Sequence, residues 1–106
     1  IKEYSITAGA FKGMIETLFL YGFRFCNINN FVKGKDKSKI LVTFDDAYNG
    51  VNEKLFGFLR EKEIPFIVVQ TCDLLDSEGY LSTDMIREML QYDKFILETH
   101  TQLIFS

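Results

Sequence analysis

The chain has 106 residues, 47% of them hydrophobic and 25% charged, with a net charge of −3. That length allows one domain or part of one, and eleven Phe with five Tyr supply enough bulky core material to exclude a disordered chain. The acidic balance gives no electrostatic case for nucleic acid, and no apolar run approaches the ~18 residues that a membrane span needs.

Lys33, Lys35, Lys37 and Lys39 cluster, but against 15 acids they read as a solvated loop rather than a binding patch. Cys26 and Cys72 have neither zinc-ligand spacing nor the pattern of a disulfide framework. Both sit in or beside apolar runs and are expected as buried free thiols. The first residue is Ile1 rather than Met, which leaves an upstream leader or domain open and the compartment unassigned.

From Thr7, apolar residues at Phe11, Met14, Ile15, Leu18 and Phe19 form a helical stripe, with Thr7 as N-cap and Gly22 as stop. Residues 23–27 read as a short strand and Asn29 to Val32 as one helical turn. A loop rich in Lys, Gly and Asp fills 33–38. The run 39–44 is a strand expected to be buried on both faces, and it ends in Asp45-Asp46. A helix opens at Asn49 or Gly50 with the stripe Val51, Leu55, Phe58 and Leu59, and it ends before Pro65, the only proline. Residues 66–71 are the next strand. Asp73 to Tyr80 form a polar loop, and Ser82 caps a helix with Met85, Ile86, Met89 and Leu90 on one face. The last strand is 94–97, followed by Thr99-His100-Thr101.

Strands that alternate with helices imply right-handed crossovers and a parallel sheet, hence an α/β fold. In such folds the carboxyl ends of the strands collect ligands and catalytic groups. Asp45-Asp46 and His100 both follow apolar strands. Side chains alternate along a strand, so the two acids converge only if the chain leaves β geometry there. Capping of the next helix and site chemistry stand side by side as explanations for the pair. An Asp oxygen with a His nitrogen suits Zn²⁺ or a similar divalent metal, although a catalytic zinc normally takes three protein ligands.

These residues carry a resemblance. Thr43-Phe44-Asp45-Asp46 is similar to the first motif of the polysaccharide deacetylase family, the NodB-homology domain. Ile64-Pro65-Phe66-Ile67-Val68 resembles its "IPxTxF" strand, Gly79-Tyr80-Leu81-Ser82 the lead into the next helix, and His100-Thr101 the start of its HTxxH motif. The resemblance spans nearly the whole chain in order. It implies a partial (β/α) barrel with parallel strands and crossover helices, residues 1–106 being the N-terminal part of the domain.

It also implies a metal-dependent hydrolase that removes acetyl groups from N-acetylated sugars of a polysaccharide or oligosaccharide. Asp45 would be general base, and Asp46 and His100 would be ligands of a divalent metal such as Zn²⁺. The family role implies the cell surface or the extracellular space, with the cytoplasm left open. Two departures follow from the same comparison: Ile104 stands where the family has its third ligand, and Glu98 where it has a small residue. The family's later motifs have no counterpart before Ser106.

The chain by itself is therefore expected to be inactive or nearly so. A non-catalytic deacetylase-like binding or structural module is the alternative. A Mg²⁺-dependent phosphoryl-transfer or receiver-type domain is disfavoured, because no Gly-rich phosphate loop is present. Exposed apolar strand edges make a homodimer the expected state.

Overall fold

A computed structural model describes residues 7–33 and 38–100, the last of these by its backbone. Helix α1, Ala8–Leu20, begins where Thr7 Oγ1 accepts the Ala10 N–H at 3.1 Å. It buries Phe11 and Ile15, whereas Met14, expected on the same stripe, is 46% exposed. The helix ends at Gly22, whose φ of 88° lies in the left-handed region that only glycine enters without strain. There the Phe23 N–H donates back to the Leu18 carbonyl at 3.0 Å and satisfies one of the helix's orphan acceptors.

Strand β1, Arg24–Phe25, and helix α2, Ile28–Lys33, follow, and α2 buries none of its residues. The run 39–44 is not one strand. β2, Lys39–Ile40, pairs in parallel with β1, and β3, Val42–Asp45, pairs in parallel with β4, Phe66–Thr71. The chain changes neighbour at Leu41, which belongs to neither strand. Between β3 and β4 a π-helical stretch, Val51–Phe56, runs directly into α3, Gly57–Glu61. A wider turn than the α-helix shifts the apolar stripe. Val51, Leu55, Phe56 and Leu59 are buried, whereas Phe58, expected among them, is half-buried with Lys12 Nζ and Lys62 Nζ each 5.7 Å from its ring.

After β4, a short 3₁₀ turn, Cys72–Leu74, leads through a loop to α4, Thr83–Met89. Ser82 Oγ accepts the Met85 N–H at 3.1 Å, the cap expected from the sequence. Leu90 falls past the end of α4 and is 53% exposed rather than buried. The last strand, β5, Phe95–His100, is longer than expected and pairs in parallel with β4. Cys26 is buried, as expected, but Cys72 is exposed, because it lies in the turn past the end of β4.

The strands make a parallel sheet β3-β4-β5 beside the pair β1-β2, and no barrel closes among the described residues. Parallel neighbours joined through helices are the crossover arrangement expected. One face of the sheet is covered. Phe44, Phe66 and Phe95 lie on it, with ring centroids 6.1 Å apart for Phe44 and Phe66 and 5.0 Å for Phe66 and Phe95. Phe11 of α1, Phe56 and Tyr92 pack against them. Of the residues of opposite parity, Thr43, Asp45, Ile96 and Glu98 on the flanking strands are exposed, whereas on the central strand Ile67 is buried and Val69 half-buried. Burial of β3 on both faces therefore does not hold: the helices cover only one face of it. No helix among the described residues is long and apolar enough to cross a membrane.

Candidate active site

Strand β3 ends at Asp45, and the next residue leaves the strand. Asp46 has φ 47°, a left-handed conformation that Asp adopts more readily than most residues. This is the departure from β geometry that two adjacent acids need in order to serve one site. The Asp46 N–H donates to the Val69 carbonyl at 2.8 Å. Its side chain then lies across the end of β4, where Oδ1 accepts the Thr71 N–H at 3.2 Å and the Thr71 hydroxyl at 3.4 Å. The π-helical stretch that follows has Gly50 as its N-cap with no side-chain cap bond, so Asp46 does not cap it. The capping explanation fails for Asp46 because Thr71 holds its carboxylate.

Asp45 remains on the open face of the sheet and is exposed. Its register partner is Val69, and the partner of Val69 on β5 is Glu98. Asp45 and Glu98 thus lie in one row, two strands apart, which is roughly 10 Å at ordinary strand spacing. Two residues further on, Thr71 pairs with His100. Asp46, Thr71 and His100 therefore stand at three neighbouring strand ends, all at the carboxyl edge of the sheet. The backbone frame brings the two constellations singled out in the sequence to one edge. The His100 side chain, Thr101 and Ile104 lie outside the described residues.

Thr71 was not singled out in the sequence, although it orients the Asp46 carboxylate. The only signal was a polar residue at the end of an apolar strand. Its neighbour Gln70 is fully buried on the covered face, and its amide has no hydrogen-bond partner among the described residues.

The loops above this edge are joined. Tyr48 and Tyr80 form an antiparallel bridge, the Asn49 N–H donates to the Gly79 carbonyl at 2.9 Å, and the Leu81 N–H to the Ala47 carbonyl at 3.4 Å. As donors to a metal, Asp46 and His100 are right in kind, an oxygen and a nitrogen ligand, on the ends of two strands that flank β4. They are one short of the three ligands of a catalytic zinc. Among the described residues, no group of three or more His, Cys, Asp or Glu could hold a metal ion.

Comparison with known proteins bears on the fold that carries this edge. No protein-family model matches the chain. A curated relative, the poly-β-1,6-N-acetyl-D-glucosamine N-deacetylase of Staphylococcus epidermidis, is 27% identical over 95% of this chain. Among solved structures, IcaB from Ammonifex degensii superposes on 95% of the chain with a TM-score of 0.80 and 25% identity. Over nearly its whole length the chain is similar to part of a NodB-type polysaccharide deacetylase domain. The BpsB deacetylase domain of Bordetella bronchiseptica shares the fold, with a TM-score of 0.76 at 19% identity over 94% of the chain. The chain spans 38% of the length of the staphylococcal relative, 48% of IcaB and 46% of the BpsB domain. The NodB-type expectation drawn from Thr43-Phe44-Asp45-Asp46 is thus met for the family and for the parallel α/β fold.

Proposed function

We propose that this chain is the N-terminal part of a (β/α) barrel that hydrolyses the acetamide of N-acetylated sugars in a polysaccharide, the chemistry named for its staphylococcal relative. The observation that carries the reading is the placement of Asp46, Thr71 and His100 on three neighbouring strand ends, with the Asp46 carboxylate held at Thr71.

In this reading Asp45 is the general base. It is exposed on the open face, so a water at the sheet edge can reach it and give up a proton as that water attacks the acetamide carbon. Asp46 is instead turned across the end of β4, where its Oδ1 is engaged by the Thr71 N–H and hydroxyl. Asp46 and His100 are the residues that would hold a divalent metal such as Zn²⁺, which would polarise the carbonyl. With Ile104 at the third ligand's place, this donor set is incomplete. Protonation of the leaving amine needs an acid, and the chain has no His besides His100 to supply it. The 106 residues by themselves therefore turn over slowly or not at all.

Ile104 also favours a second reading, a deacetylase-like module that binds the sugar polymer without cleaving it. Acetate release from β-1,6-linked N-acetylglucosamine oligomers, measured beside oligomer binding and metal content, tests both readings. Oligomer binding with little acetate is the expected result for this chain. Sustained turnover that Asp46→Asn abolishes would overturn the claim of inactivity. Absence of both binding and turnover would overturn the deacetylase reading.

A further inference from the structure

Two residues past Asp46, which is at most ~7 Å of chain, the loop presents an aromatic ring. Tyr48 is 55% exposed and stacks on Tyr80, with ring centroids 5.0 Å apart and planes inclined by 29°. A single exposed Tyr would need no explanation. This pair is different because the backbone beneath it is fixed. Bonds from Asn49 to Gly79 and from Leu81 to Ala47 flank the Tyr48–Tyr80 bridge on both sides. Gly79 has φ 84°, which lets the second loop turn into that bridge. Asp76 then ties the loop to α4, its Oδ1 accepting the Thr83 N–H at 2.9 Å. Tyr80, half-buried, backs one side of the Tyr48 ring and leaves more than half of that residue open to solvent at the carboxyl edge of the sheet.

We propose that the stacked Tyr48–Tyr80 pair is a sugar-binding platform, on which the apolar face of one pyranose ring of a β-linked N-acetylglucosamine chain lies. That ring adjoins the unit whose acetamide meets Asp45. The assignment rests on the deacetylase reading above. A pyranose with equatorial substituents exposes a face of axial C–H bonds, and a flat aromatic ring removes that face from water. Tyr suits the task because it offers a large, rigid contact surface with few torsions to freeze on binding. The double clamp of the two loops fixes the ring before the ligand arrives, which lowers the ordering cost of binding.

Calorimetric titration of the protein with a β-1,6-linked N-acetylglucosamine pentamer tests the platform, with Tyr48→Ala, Tyr48→Phe and Asp46→Asn compared to the unsubstituted chain. Tyr48→Ala should weaken binding by about threefold to tenfold, while Tyr48→Phe stays within about twofold because stacking needs no hydroxyl. The ring resonances of Tyr48 should shift on titration, and Asp46→Asn should leave that shift in place. Equal affinities for the unsubstituted chain and Tyr48→Ala, with binding intact, would overturn the platform alone. No binding of the pentamer by the unsubstituted chain would overturn both the platform and the polysaccharide reading on which it rests.

Discussion

Asp46 carries two burdens at once, a strained backbone and an oriented carboxylate. At φ 47° an Ala pays a steric cost that Asn largely avoids, because Asn enters the left-handed region more readily. Asp46→Ala is therefore expected to lose about 1–2 kcal/mol in urea denaturation, and Asp46→Asn clearly less. Equal losses would show that the left-handed turn is not strained. The comparison also matters for the chemistry, since only the Asn variant removes the charge without disturbing the turn. Tyr92 makes a second prediction at this scale. Its hydroxyl donates to the Ile64 carbonyl at 2.8 Å, and burial, with the Asp93 and Glu63 carboxylates nearby, pushes the phenol from 10.0 up to about 12. A group whose pKa is raised by folding stabilises the fold below its unfolded value and loses that contribution as pH climbs through the folded one. Stability should thus hold up to about pH 10 and fall between about 10 and 12. Tyrosinate absorbance followed beside denaturant midpoints would check this, and Tyr92→Phe should flatten that part of the slope.

The helix ends were the most legible elements, because each rests on one residue with one reason. Thr7 and Ser82 cap α1 and α4 as their side chains dictate, and Gly22 ends α1. Gly22→Ala should cost about 1–2 kcal/mol in thermal or urea unfolding, as expected for a Cβ forced into the left-handed region. The space around the site is open, with nothing within 4 Å of an added Cβ, so the loss would come from the backbone alone. An unchanged midpoint would mean that the helix end refolds around the substitution. Less legible was anything set by a neighbour distant in the sequence. The stripe Val51-Leu55-Phe58-Leu59 assumed α-helical spacing, whereas a π-helical stretch exchanges Phe58 for Phe56. The break at Leu41 follows from which strand lies alongside, which no local pattern encodes. At the site, the carboxylates and the histidine were visible as chemistry at strand ends. Thr71 was not, because its role exists only once β3 and β4 are in register.

At the scale of the molecule the sheet is lopsided. Phe66, Val68 and Phe95 are sealed under helices, while Ile96 on the other face is 37% exposed beside Glu98. β5 is also the edge of its sheet among the described residues, so its outer backbone groups have no strand to pair with there. An edge strand in this state is a template for another copy, and the charge of Glu98 is the kind of residue that discourages such pairing. The two features oppose each other, and solvent conditions should decide between them. Salt screens the repulsion between facing Glu98 carboxylates while strengthening the burial of Ile96. We therefore expect the chain to self-associate more strongly as salt rises, detectable by sedimentation over a concentration series. Ile96→Glu should keep it monomeric across the same range, because it removes the apolar contact and adds a carboxylate beside Glu98 that cannot be buried unpaired. A sedimentation coefficient independent of both salt and the substitution would mean that the edge is not where copies meet.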